Sequence, residues 1–169
     1  ACISVLSLLN INLKKLKKIF TRFSLPEGRG DIKTIKKFKK IFKFVDESYN
    51  ANPLSMNSAI NNINKIKMKG KSKKLILLGD MKELGSKSIK LHKKLSISIN
   101  KSNIDKVFVY GKDIKSTFSY LSKNKKGKIF KNLQEAYEHI GKIVNNNDLF
   151  MVKGSNSTGL NQFSKNIKR

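Results

Sequence analysis

Residues 42–56 read Phe42-Lys-Phe-Val-Asp46-Glu-Ser-Tyr-Asn-Ala-Asn52-Pro53-Leu-Ser-Met56, and two structural periods meet inside them. Phe42–Asp46 reads as the end of a strand, rich in apolar and β-favouring side chains. Asn52-Pro53 is a helix start. Asn supplies a capping side chain, and Pro suits the first helical position, where its missing N–H costs nothing. Met56, Ala59, Ile60, Ile63 and Ile66 then fall on one helical face. A strand that passes directly into a helix is the repeating unit of an α/β sheet.

The alternation continues downstream. Leu75–Leu78 is a buried strand closed by Gly79-Asp80, and Ile89, Leu91, Leu95 and Ile99 mark the next helix. Val107–Tyr110 is a strand closed by Gly111, Ile114, Phe118 and Leu121 a short helix, and Lys128–Phe130 a short strand. Leu133, Ala136, Tyr137, Ile140 and Val144 form another helix. Leu149–Val152 is the last strand, closed by Lys153-Gly154-Ser155, and a final helix begins near Gly159. Strands separated by helices predict a parallel, doubly wound sheet. Upstream, residues 31–37 and 41–46 alternate apolar and basic side chains, which predicts a hairpin. Leu25-Pro26-Glu27-Gly28-Arg29-Gly30 is a linker and the best domain boundary. Residues 3–20 carry Ile3, Leu6, Leu9, Leu13, Leu16 and Phe20 at helical spacing. Asn10-Ile-Asn12 is the expected break there, with Asn12 capping a second helix.

The 169 residues suit one domain, or one domain and a stub of another. Cys2 is the single cysteine, which excludes an internal disulfide framework and a cysteine-based zinc cluster and fits a cytoplasmic setting. No apolar run approaches the roughly 20 residues that span a bilayer. The opening segment lacks the basic start and cleavage site of a signal peptide, and its first residue, Ala1, is expected of a processed chain or a fragment. Net charge is +26, from 34 Lys, 3 Arg and 11 acidic residues. A Lys-rich nucleic-acid-binding α/β module is therefore the alternative reading. Arg, the better bidentate reader of phosphate and guanine, is scarce, and Lys is spread over every segment. With Asn and Ile also abundant, biased codon usage accounts for the lysines.

Ligands of open α/β sheets bind beyond the carboxyl ends of the strands. Asp46-Glu47, Gly79-Asp80, Gly111 and Lys153-Gly154-Ser155 all fall there. The acids could hold ribose hydroxyls or a metal, and Lys153 could neutralise a phosphate or carboxylate. The plainer alternatives are a turn glycine, a helix cap at Asp80 and one surface lysine among many. Neither GxxxxGK[ST] nor GxGxxG occurs. His92 and His139 have no ligand partner at metal-binding spacing, so no metal site is expected.

Asp46–Met56 resembles the (D/E)SYNANPxSM signature of one branch of the Mur ligase family. Leu78-Gly-Asp-Met-Lys-Glu-Leu-Gly85 with His92 is similar to that branch's LGDMxELG…H stretch, Val152–Ser155 to its LVKGS segment, and Pro26–Gly30 to its P-x-GR linker. Order and spacing agree from about Leu25 to the end. The resemblance implies a Rossmann-like C-terminal domain at 33–169, a linker at 25–32, and closing helices of a central ATPase domain at 1–24. It implies an ATP-dependent ligase of peptidoglycan synthesis, a cytoplasmic monomer that joins D-alanyl-D-alanine to UDP-N-acetylmuramoyl-tripeptide through an acyl phosphate. ATP and Mg²⁺ are implied to sit mainly on the central domain, so this chain alone is expected to be inactive, with no catalytic residue of its own. The residues implied to face the nucleotide on domain closure are Arg29, Asp46 or Glu47, Asn50 and Asn52. Lys153 and Ser155 are implied on the dipeptide side. Asp80, Glu83 and His92 are implied as dipeptide-side or loop-fixing residues. Relatives with an arginine just after the serine differ from this chain, which has Asn156 there.

Overall fold

The computed structural model describes residues 2–12 and 26–169. Helix α1, Cys2–Leu8, opens the chain. The expected second helix, which Asn12 was to cap, falls on residues 13–25, outside the described residues. From Asp31 the chain builds β1 (Asp31–Lys37), β2 (Lys40–Glu47), α2 (Pro53–Lys65), β3 (Lys74–Gly79), α3 (Ser88–Asn100) and β4 (Lys106–Tyr110). It continues with α4 (Lys115–Ser119), β5 (Lys126–Phe130), α5 (Leu133–Ile143), β6 (Leu149–Lys153) and α6 (Leu160–Lys168). Each element expected from the sequence after residue 30 is present, with ends shifted by a residue or two.

The sheet order is β1-β2-β6-β3-β4-β5. Only the β1–β2 hairpin is antiparallel; the other pairings are parallel. β6 enters last and inserts between β2 and β3. This is the doubly wound, mostly parallel α/β sheet expected. Strand side chains alternate between two cores. Val45, Ile76, Leu78, Val107, Val109 and Met151 meet α2 and α3 on one face. Phe44, Leu77, Phe108, Phe150 and Val152 meet α5 and α6 on the other. Burial on both faces explains why Leu75–Leu78 of β3 reads as an unbroken apolar run.

The start of α2 follows the expected chemistry. The Asn52 side chain accepts from the Ser55 N–H at 2.8 Å, and the Ser55 hydroxyl accepts from the Asn52 N–H at 3.1 Å. With Pro53 in the first turn, this reciprocal cap fixes where β2 hands over to the helix.

Candidate functional site

The parallel strands end on one rim, and β6 between β2 and β3 draws three loops together there. Asp46 and Glu47 are successive strand residues, so their side chains leave on opposite faces. Asp46 turns toward α6. Its carboxylate accepts from the Ser48 N–H at 3.1 Å and hydroxyl at 2.6 Å and pairs with Lys168 Nζ at 2.9 Å. Glu47 leaves on the α2 face and pairs with Lys153 Nζ, its register partner on β6, at 3.1 Å. Lys153 is 2% exposed, and its ammonium also donates to the Asn50 carbonyl at 3.0 Å. It thus ties the β6 end to the β2–α2 loop.

Burial raises the Asp46 pKa, but the Ser48 hydroxyl and Lys168 outweigh it and hold the carboxyl below its ordinary value. Burial lowers the Lys168 pKa, and the hydrogen bond and charge of Asp46, with help from Glu27, leave it net raised. A carboxyl lowered on folding contributes stability that is present above its unfolded pKa of about 4 and is lost as pH falls through the folded value. Lys168→Met should therefore cost about 2 kcal/mol at pH 7, the range for a charged hydrogen bond. It should cost less at pH 3, below the unfolded value, as read from urea unfolding at the two pH values. Equal losses at both would refute the pairing.

The linker folds back on the same rim. Gly28 accepts from the Tyr49 N–H at 3.2 Å and Gly30 donates to the Asp46 carbonyl at 2.7 Å. Gly28 has φ +74°, and a Cβ there would lie 2.9 Å from the Tyr49 backbone nitrogen, so only glycine fits. Arg29 lays its guanidinium over the half-exposed Tyr49 ring, 4.3 Å from the centroid. Glu27 reaches Lys168 at 3.2 Å.

Asp80 is buried at 3% exposure. It does not cap the helix that follows it. Its carboxylate accepts from the backbone N–H groups of Lys112, Asp113 and Ile114 at 3.1, 3.0 and 2.9 Å, which pins the turn entering α4. Fully buried His92 fixes the same loop from below. Its Nε2 accepts from the Met81 N–H at 2.9 Å, so Nδ1 carries the proton and donates to the Ser88 carbonyl at 2.8 Å. Ser155 closes the hub: its N–H donates to the Asp80 carbonyl at 3.0 Å and its hydroxyl accepts from the Lys82 N–H at 2.9 Å.

A cleft of about 550 Å³ opens among these loops, lined by Tyr49–Asn52, Lys82–Leu84 and Ser155–Ser157. Of the residues singled out in the sequence, it brings together Asn50, Asn52, Glu83 and Ser155. Asp46, Asp80, His92 and Lys153 stand behind it as buried supports. Arg29 lies on Tyr49 at its edge. A neighbouring cavity of about 280 Å³ joins Glu27 and Gly28 to Asp46, Tyr49, Asn161 and Lys168. Tyr49 and Lys168 escaped the sequence reading. Tyr49 sits inside the SYNANP block and was legible; nothing in the sequence separates Lys168 from the other lysines. His139 lies against Phe108 and Phe130, and burial holds its pKa below the ordinary value. Among the described residues, no group of three or more His, Cys, Asp or Glu is placed to hold a metal ion.

The family model for the Mur ligase, glutamate ligase domain matches residues 31–156. The chain belongs to the Mur ligase family. Its relatives include the UDP-N-acetylmuramoyl-tripeptide–D-alanyl-D-alanine ligase of Rickettsia prowazekii (strain Madrid E), 28% identical over 94% of this chain and 34% of the relative. The enzyme of the same name from Buchnera aphidicola subsp. Baizongia pistaciae is 33% identical over 90% of this chain and 31% of the relative. This Mur ligase chain thus spans about a third of the length of the curated relatives it matches. Among solved structures, MurF from Acinetobacter baumannii superposes with TM-score 0.79 over 98% of this chain and 35% of that one, at 22% identity. MurF from Thermotoga maritima in complex with ADP superposes with TM-score 0.74 over 98% and 36%, at 21% identity. These likenesses show the fold: the rim described above belongs to a Mur ligase C-terminal domain.

Proposed function

We propose that this chain is the closing domain of an ATP-dependent ligase that joins D-alanyl-D-alanine to UDP-N-acetylmuramoyl-tripeptide in peptidoglycan synthesis. In this reading residues 1–24 close the central ATPase domain, 25–32 are the linker and 33–169 form the C-terminal domain. One observation carries it. The SYNANP, LGDMKELG and VKGS stretches, far apart in sequence, line or support one cleft at the point where the strand order reverses.

The charges at the rim suit the sugar and base of a nucleotide better than its triphosphate. Lys153 and Lys168 are each held by carboxylates and exposed Lys82 pairs with Asp80 at 3.3 Å, which among the described residues leaves Arg29 and Lys165 as the exposed cations beside the two cavities without a carboxylate partner. The phosphates and Mg²⁺ therefore fall to the central domain. Arg29 on Tyr49 offers a planar cationic surface to the nucleotide. Glu47, with its side chain 23% exposed against 7% for Asp46, is the better placed of the two acids for the ribose. Asn50 and Asn52 complete that side; Ser155 and Glu83 face the incoming dipeptide. Closure of this rim over ATP aligns the reactants and excludes the water that would hydrolyse an acyl phosphate.

The test is phosphate release and product formation by the intact ligase that carries this domain, given ATP, UDP-N-acetylmuramoyl-tripeptide and either D-alanyl-D-alanine or D-glutamate. Ligation of the dipeptide alone is expected. Use of D-glutamate with the dipeptide refused would overturn the assignment. Residues 1–169 alone are expected to release no phosphate.

A further inference from the structure

The opposite rim has a different chemistry. At the amino edge the acidic side chains are Asp105 and Asp148, and both are held by backbone N–H groups. Asp105 accepts from Lys74, and Asp148 from Lys73 and Asn145, all at 2.7–2.8 Å. The loop from α2 to β3 carries Lys67, Lys69, Lys71 and Lys73, all exposed, and Lys39 stands exposed in the β1–β2 turn. Between that loop and β2 runs a groove of about 350 Å³. Its floor includes Ile41, Phe42 and Met68, and Lys43, Lys67 and Lys69 stand around it. Ile41 is 50% exposed and shares the groove with Lys43, Lys67 and Lys69. The lysines are even along the sequence, yet the fold gathers acids at the ligand rim and leaves this edge almost purely cationic.

We propose that this amino edge docks on an anionic phospholipid bilayer, with Lys39, Lys43 and Lys67–Lys73 on the headgroup layer and Ile41 and Met68 entering its interface. Several separate loops form the surface, and a fluid headgroup layer demands no complementary shape. Lysine is a compact point charge that attracts any phosphate without needing the planar register of arginine. Among the described residues lining the groove there is no arginine, and its aromatic ring, Phe42, is buried at 1% exposure, so no base-stacking platform exists there. The mixture of cations and a half-exposed apolar floor matches a lipid interface. The six residues of β3 separate this edge from the cleft by about 20 Å, so docking leaves the cleft open. The inference stands apart from the ligase reading, since it uses none of the cleft residues.

The test is co-sedimentation of the 169-residue chain with vesicles of phosphatidylcholine and phosphatidylglycerol, and of phosphatidylcholine alone, at about 150 mM salt. Retention on the anionic vesicles alone is expected. Lys67→Glu/Lys69→Glu/Lys71→Glu should lower the partition by about 100-fold, at roughly fivefold per lysine. Lys87→Glu/Lys90→Glu/Lys94→Glu, with the same net charge but on and before α3, should lower it by less than tenfold. Equal losses in the two variants would reduce the effect to net charge and overturn the proposal, as would equal retention on neutral vesicles. The chain has no tryptophan, so Met68→Trp supplies a clean probe. Its emission should shift to the blue with anionic vesicles, and an unshifted spectrum would refute insertion. Tighter binding of duplex DNA than of vesicles, lost with the same three lysines, would make this a nucleic-acid surface instead.

Discussion

Asp80→Ala should remove about 4 kcal/mol of unfolding free energy, the largest loss expected from any single rim residue. The side chain accepts from three consecutive backbone N–H groups at the entrance to α4. Each donor left without a partner in a buried turn costs about 1–3 kcal/mol, and of the three the Ile114 bond is buried and the other two part-buried. Asp80→Asn should lose roughly half as much, because its one remaining carbonyl oxygen can serve the Asp113 and Ile114 donors while its amide opposes that of Lys112. The neighbouring glycine gives an internal control. A Cβ on Gly111 would lie 2.4 Å from Asp80 Oδ1, and its φ of +141° is itself costly for any other residue. Gly111→Ala should therefore cost less in the Asp80→Ala background than in the parent, because only the backbone strain remains. Urea unfolding of the four proteins measures the cycle. Strict additivity, or an Asp80→Ala loss below about 1 kcal/mol, would mean that the turn is held by something other than this carboxylate.

Much of the architecture was legible because its physical causes are local. β3 is buried on both faces, so Leu75–Leu78 had to be apolar in sequence. Asn52-Pro53 announced α2 because both the cap and the missing N–H act within one turn. The order of the strands was not legible. β6 is drawn between β2 and β3 by cores on both faces, a choice that no local signal records. Site chemistry divides along the same line. The amides lining the cleft, Asn50 and Asn52, lie in a recognisable block. Asp80 acts on residues more than thirty positions ahead, and its role became visible only when β4 was laid beside β3. His92 belonged to a recognisable stretch as a residue implied on the dipeptide side or in fixing the loop, and its two ring nitrogens, on the Met81 N–H and the Ser88 carbonyl, give it the loop-fixing contacts. Lysine was the least legible residue. Lys153 stands out only by its place at a strand end, nothing in the sequence separates Lys168 from the exposed lysines of the amino edge, and only the fold gives the first two carboxylate partners and leaves the others facing solvent.

Lys153→Met should cost about 3 kcal/mol and should loosen the β2–α2 loop. The ammonium is buried between Glu47 Oε2 at 3.1 Å and the Asn50 carbonyl at 3.0 Å. Removing one member of a buried pair costs about 3–5 kcal/mol, because the charge left behind has lost its counter-ion. Glu47 keeps some access to water, with its side chain 23% exposed, so the lower end of that range applies. If the penalty comes from the stranded carboxylate, neutralising it should recover part of the loss. Lys153→Met/Glu47→Gln should then be more stable than the sum of the single variants predicts, by about 1–2 kcal/mol. The Lys153 side chain is only 2% exposed, so 1 M NaCl should change the cost of Lys153→Met little. The half-exposed Lys128–Glu135 pair at 2.7 Å should respond to the same salt. A Lys153→Met cost that fades with salt, or a double variant that is merely additive, would place this lysine among the solvated ones. In that case the strand end would not be what holds Asn50 at the lip of the cleft.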